Sequence, residues 1–159
     1  MSWVPNERIA NQPSKGPVAL AAFGNRLHRI YHADDSGLLY HSIREDAGWS
    51  QPARIAPAKS SATTPALAAF QGKLHLVYID GSKRLWHATF DGARWSADQA
   101  IAPGQGNLPK SRATPALAVF ANRLHLVHIG ETSNQLYHTS FDGNAWAGET
   151  PIANFKSRA

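Results

Sequence analysis

One block of text, written three times, constrains this chain more than any other feature. From Thr64 to Ala102 it reads TPALAAFQGKLHLVYIDGSKRLWHATFDGARWSADQAIA, and from Thr114 to Ala153 it reads TPALAVFANRLHLVHIGETSNQLYHTSFDGNAWAGETPIA. A more diverged copy runs from Pro17 to Ala56. Phe23, Phe70 and Phe120 lie 47 and 50 residues apart, as do His28, His75 and His125, while Trp49, Trp95 and Trp146 lie 46 and 51 apart. Repetition at such a period makes each copy one supersecondary unit that buries its apolar face against its neighbours.

Within a copy, four apolar or alternating runs are separated by turn residues, a pattern of consecutive short strands rather than helices. In the second copy, run A is Ala66 to Phe70, run B is Leu74 to Ile79, run C is Leu85 to Phe90 and run D is Trp95 to Ile101. Asp91-Gly92 between C and D, repeated as Asp142-Gly143, predicts a tight type I′ hairpin there, because Asp-Gly tolerates the positive φ that this turn needs. The first copy has Asp46-Ala47-Gly48 at this place, which predicts a looser hairpin. Four antiparallel strands per unit of about 50 residues is the size of one β-propeller blade. Run B is apolar almost throughout, as suits a strand between blades, and run D alternates, as suits an outer edge. A β-trefoil, which also has three repeats of similar length, is the main rival, and its threefold core would make three copies a complete monomer; four strands per copy with a tight C–D hairpin favour the propeller.

The expected organisation is therefore an all-β propeller chain: an outer-strand-like segment at 1–16, then blades at 17–62, 63–112 and 113–159, the last with a tail. Trp followed after five residues by Ile-Ala occurs at Trp3, Trp49, Trp95 and Trp146, so the chain holds four D-like runs for three A-B-C sets. The runs at Trp3 and Trp146 are rival candidates for the same outer strand. Three blades leave both end faces open, whereas propellers close with four or more. Closure through a homo-oligomer is expected, with a dimer favoured because twofold symmetry is the commonest.

Charge and motifs narrow the function. Residues 2–16 lack the apolar core of a signal peptide, and no stretch approaches a membrane span, so the expectation is a soluble protein, with release to act outside the cell left open. The net charge of +5 comes from 16 basic and 11 acidic residues spread along the chain, a weak basis for specific nucleic-acid binding. There is no cysteine, HExxH, GxSxG or phosphate loop, so neither a cofactor, a metal nor a catalytic residue is expected. Repeated equivalent positions suit repeated binding sites better than one asymmetric catalytic centre.

Three kinds of position recur beyond the apolar core: the tryptophan opening run D (Trp49, Trp95, Trp146), a histidine in run C (His41, His87, His138) preceded by an aromatic residue (Tyr40, Trp86, Tyr137), and a basic residue ahead of run B (Arg26, Lys73, Arg123). Aromatic faces beside hydrogen-bonding groups suit sugar rings, which makes these the candidate sugar-binding residues. Each also has a structural reading, the tryptophans as blade packing and the basic residues as solvated turns. His28, His75 and His125, on the face of Ile30, Val77 and Val127, are expected to be satisfied core histidines.

The motif (S/T)-F-D-G-x-x-W, with PALAxF and LHLV upstream, resembles bacterial β-propeller lectins and the sialidase-like repeat superfamily. Thr89 to Trp95 is one residue shorter than a sialidase Asp-box. The resemblance implies a multivalent lectin that binds glycans, with fucosylated or methylated sugars as the family-level expectation. The arginine cluster, tyrosine and glutamate of a sialidase find no counterpart, so no hydrolase is expected. A protein-interaction module, or a fragment of a larger toxin or glycosidase-like protein, is the alternative.

Overall fold

A computed structural model describes residues 8–9, 13–14, 16–32, 36–56, 58, 60–102 and 108–156, with side chains as far as 152. Among them there are thirteen strands and no helix. The first sheet holds β1 (Ala19–Phe23), β2 (Arg26–His32), β3 (Leu39–Glu45), β4 (Gly48–Trp49) and β5 (Ala53–Arg54). The second holds β6 (Ala66–Phe70), β7 (Lys73–Ile79), β8 (Leu85–Phe90) and β9 (Gln99–Ala100), and the third holds β10 (Ala116–Phe120), β11 (Arg123–Ile129), β12 (Gln135–Phe141) and β13 (Thr150–Lys156). Each is an antiparallel meander, A to D in chain order, and together they are three four-stranded propeller blades, β4 and β5 sharing the D position of the first. The outer strand of the third blade is the C-terminal run, β13 on β12. Its rival at Trp3 lies outside the described residues.

The type I′ turns sit elsewhere than expected. Positive φ at both central residues occurs at the A–B turns: Gly24-Asn25 (57° and 58°), Gln71-Gly72 (44° and 70°) and Ala121-Asn122 (47° and 55°). Each is closed by a directly paired residue on either side, Phe23↔Arg26, Phe70↔Lys73 and Phe120↔Arg123. At the C–D connection of the second and third blades only the glycine is left-handed, Gly92 at 104° and Gly143 at 105°. The aspartate stays out of that region because its carboxylate has other work. Asp91 Oδ1 accepts the N–H groups of Ala93 and Arg94, both at 2.8 Å, and Asp142 Oδ1 those of Asn144 and Ala145 at the same distance. These backbone donors hold both carboxyls below the usual carboxylate range. The first blade, without that aspartate, has the tighter hairpin, pairing Glu45 with Gly48 across two residues.

Ala121 is the one non-polar side chain forced to positive φ in these turns. An alanine in the left-handed region costs roughly 1–2 kcal/mol, so Ala121→Gly should raise stability by up to about 1 kcal/mol. A urea midpoint that fails to rise would show that the turn is relaxed.

Blades pack face to face. The A strands are neighbours, β1 beside β6 and β6 beside β10, so they line the centre while the D strands lie outside. Between the first two blades Ile30, Leu39 and Ile55 meet Leu76 and Tyr78, with Trp86 and Trp95 packed against them. Between the second and third, Val77, Ile79, Leu85 and Ile101 meet Leu126, with Leu117 and Trp146 alongside. Each blade therefore has a trailing face, bearing a pair of histidines from its B and C strands, and a leading face; the leading faces of the second and third blades cover the trailing faces of the first and second. No helix among the described residues is long and apolar enough to cross a membrane.

Candidate functional site

The period-two alternation of a strand decides what the repeated residues can do together. His28 and Ile30 share the trailing face of the first blade, and Ile30 pairs directly with His41, so both histidines look towards the second blade. Tyr40, one residue earlier, must look the other way.

The histidines form a relay that spans the interblade gap. Trp95 Nε1–H donates to His41 Nδ1 at 3.2 Å, which leaves the proton of neutral His41 on Nε2. That N–H donates to His28 Nδ1 at 2.9 Å, and His28 Nε2–H donates to the Phe23 carbonyl at 3.1 Å. The second interface repeats it, from Trp146 to His87 (3.4 Å), to His75 (2.9 Å), to the Phe70 carbonyl (3.2 Å). Phe90 and Phe141 of the following blade close over the imidazoles, with centroids 4.9 Å from His41 and 5.1 Å from His87. Burial, reinforced by His28, pushes His41 down to about 4, and burial reinforced by His75 pushes His87 down to about 3. His28 and His75 are also lowered, chiefly by burial, against the opposing pull of the phenylalanine carbonyls. The relay is neutral and fixed in one tautomer near pH 7.

Outside each relay lies a cleft. Between the first two blades a volume of about 430 Å³ is lined by His41, Ser50, Gln51, Arg54, Arg94 and Trp95, among others. Between the second and third, about 560 Å³ is lined by Lys73, His87, Ser96, Gln99, Asn144 and Trp146. Both have the same plan: an indole and an imidazole anchored by the relay, a wall from the C and D strands of one blade, and a rim from the hairpin tip of the next. The plan is constant while the rim varies, with Arg94 in one cleft where the other has Ala145.

The structure brings five of the candidate residues to these clefts: Trp95, Trp146, His41, His87 and Lys73. Three others belong to leading faces. Tyr40 leans on Tyr31 with centroids 6.1 Å apart, Trp86 donates to Asp80 Oδ2 at 2.8 Å, and Tyr137 stacks on His128 at 5.6 Å. Arg26 is exposed beside Glu45 at 3.8 Å, and Arg123, in the equivalent turn, lines neither cleft. Trp49 lies under the Arg29 guanidinium at 4.6 Å, and His138 pairs with His125 at 2.8 Å on the open trailing face of the third blade. Sequence reasoning missed Gln99, Ser96, Arg54, Arg94 and Asn144. Ser50 and Ser96 recur one residue after the tryptophan and could have been found, whereas the others differ between copies.

No protein-family profile matches the chain, and no curated protein matches it. Solved structures do. A lectin of Aleuria aurantia in complex with Fucα1-6GlcNAc superimposes with a TM-score of 0.67 at 16% identity, over 87% of this chain and 47% of the lectin. A Kordia zhangzhouensis fucose lectin in complex with methyl-fucoside gives 0.59 at 15% identity, over 89% of this chain and 100% of its own. The catalytic domain of a Coprinopsis cinerea α-L-arabinofuranosidase gives 0.60 at 16% identity, over 92% and 53%. The chain thus spans about half the length of the Aleuria protein and the enzyme domain. Lectins and glycosidases share this architecture, and at these identities the likeness establishes the fold, a β-propeller.

Proposed function

We propose that the chain is a multivalent carbohydrate-binding lectin whose sugar sites are the clefts between consecutive blades, with fucosides or methylated sugars as ligands. One observation carries this reading: two clefts of the same construction, each with a held indole edge and a polar rim of different composition. An indole supplies an apolar surface for the C–H patches of a pyranose or its methyl group, and Ser96, Gln99 and Lys73 supply directional hydrogen bonds to hydroxyls. Trp95, Trp146, His41, His87 and Lys73 are the binding residues kept from the sequence. Tyr40, Trp86, Tyr137, Arg26 and Arg123 are not among them.

The lining supports binding rather than hydrolysis. Glycosidases work with two carboxyl groups flanking the scissile bond. Among the described residues, neither cleft is lined by an aspartate or glutamate, and Asp91 and Asp142 are engaged in their turns. The fucoside complexes of fold relatives support the ligand class.

A glycan array followed by calorimetry with methyl α-L-fucoside tests the proposal. Saturable, selective binding is expected, weakened about tenfold in the larger cleft by Lys73→Ala or Gln99→Ala, each removing a hydrogen bond worth about 1–1.5 kcal/mol. No glycan bound above background across the array would overturn it.

A further inference from the structure

The two clefts share an indole and an imidazole but differ in what surrounds the imidazole. In the first, the strand register sets Ala53 opposite His41, and Ile43, two residues further along β3, looks to the same side. In the second, Gln99 stands opposite His87, and Thr89 takes the place of Ile43. The exchange extends to the neighbouring turns, where Gly24 and Ala93 at the first interface become Gln71 and Asn144 at the second. Gln71 is held across the gap: its Nε2–H donates to the Asp142 carbonyl of the third blade at 3.2 Å, and a Cβ on Gly143 would collide with its amide. Four positions whose side chains offer no hydrogen bond around the first cleft thus all offer one around the second. Ser50 and Ser96 do not set the clefts apart, since each accepts the equivalent backbone N–H, from Ile43 and from Thr89, at 3.0 Å. Three exchanges run the other way, Gln51, Arg54 and Arg94 standing where the second cleft has Ala97, Ala100 and Ala145. Arg54 pairs with Tyr40, so its Cβ leaves the strand on the side away from His41, and Gln51 and Arg94 are exposed at the rim.

We propose that the two clefts divide sugars between them: the first takes a pyranose face that ends in a methyl group, as in a 6-deoxy or O-methyl sugar, and the second takes a face that carries a hydroxyl there. This inference rests on the lectin function proposed above and assigns each cleft its own class of ligand. A methyl set against Ile43 and Ala53 gains by leaving water, whereas a hydroxyl set there loses its water and finds an alkyl wall. Against Thr89 and Gln99 the order reverses, because a methyl would strip both side chains of water and leave their polar groups unpaired. The Gln71 amide, already tied to the next blade, adds a polar group whose position is fixed before the ligand arrives. Thr89 and Gln99 are therefore the specificity-determining residues of the second cleft, as Ile43 and Ala53 are of the first.

Methyl α-L-fucoside and methyl α-L-galactoside, which differ by one oxygen at C6, test the division. The indole N–H signals of Trp95 and Trp146 in nitrogen-15 NMR read the two clefts separately, since each N–H is anchored in its own cleft. The fucoside should shift the Trp95 signal at about tenfold lower concentration than the galactoside, and the Trp146 signal should show the opposite order. Ala53→Gln, at an exposed position, should bring the galactoside level with the fucoside at Trp95 and leave the order at Trp146 unchanged. Gln99→Ala, also at an exposed position, should remove the galactoside preference at Trp146 and leave the order at Trp95 unchanged. The same order of preference at both indoles, binding that shifts neither signal, or preferences that survive both substitutions would each overturn the division and leave the lectin reading standing. Failure of every glycan on the array to bind would instead remove the lectin reading, and the division with it.

Discussion

Truncating Trp95 to alanine should cost about 3–5 kcal/mol of stability and delete one of the two internal clefts while the other remains. The size of the effect follows from how many roles the side chain combines. The indole packs against the cluster of Ile30, Leu39, Leu76 and Tyr78, sits 5.2 Å from Phe90, and supplies the donor that sets the His41–His28 tautomers. Trp95→Phe separates these roles, because it retains most of the packing and removes only the N–H. It should cost about 1–2 kcal/mol, the order expected for leaving His41 Nδ1 without a donor. Chemical denaturation orders the two variants, and calorimetry on those that stay folded counts the surviving sites. Equal destabilisation by both would mean that the hydrogen bond, not the packing, holds the blades together.

Acid should loosen the blade interfaces before it unfolds the strands. A histidine has a pKa near 6.5 in an unfolded chain, whereas His41 and His87 are depressed to about 4 and about 3 in the fold. Between those limits the unfolded chain binds protons that the folded chain does not, so stability rises with pH there. The contribution is complete above about pH 6.5 and is lost as the pH falls towards 4 and then 3. Each pKa unit corresponds to about 1.4 kcal/mol, so the loss across the window is on the order of a few kcal/mol. Urea midpoints at pH 7.5, 5.5 and 4.5 should therefore fall steeply, and the fall should flatten in the double variant His41→Gln/His87→Gln. A parent protein whose midpoint is level across that range would remove the neutral relay from the account.

Much of the fold was legible because a strand announces itself locally. Runs A and C of the second copy coincide with β6 and β8 residue for residue, and run B lacks only Lys73 of β7. Run D shrank to Gln99–Ala100 and a single bridge from Phe90 to Trp95, since an outer strand with one partner is pinned by little else. Turn type was less legible. Asp-Gly satisfies two different hairpins, and the choice fell to the Asp91 carboxylate, whose hydrogen bonds do not show in the residue pattern. The site was half legible. That Trp86 and His87 cannot share a cleft was available from strand alternation, yet the pairing of Trp95 with His41, 54 residues apart, joins two different copies of the repeat. Such a contact depends on how blades stack, and a repeat read one copy at a time does not contain it.

The division between relay and rim has a consequence for how such a chain can change. At the hairpin tips, Arg94 and Ala145 occupy the same place in successive blades, next to tryptophans that keep one and the same hydrogen bond. A mutation at the tip alters what the cleft offers a ligand and leaves the joint between blades untouched, so the two are free to drift at different rates. Duplicated blades can therefore acquire separate preferences one at a time, which under the lectin function proposed above would let one chain recognise a mixed glycan surface without any blade having to be reinvented.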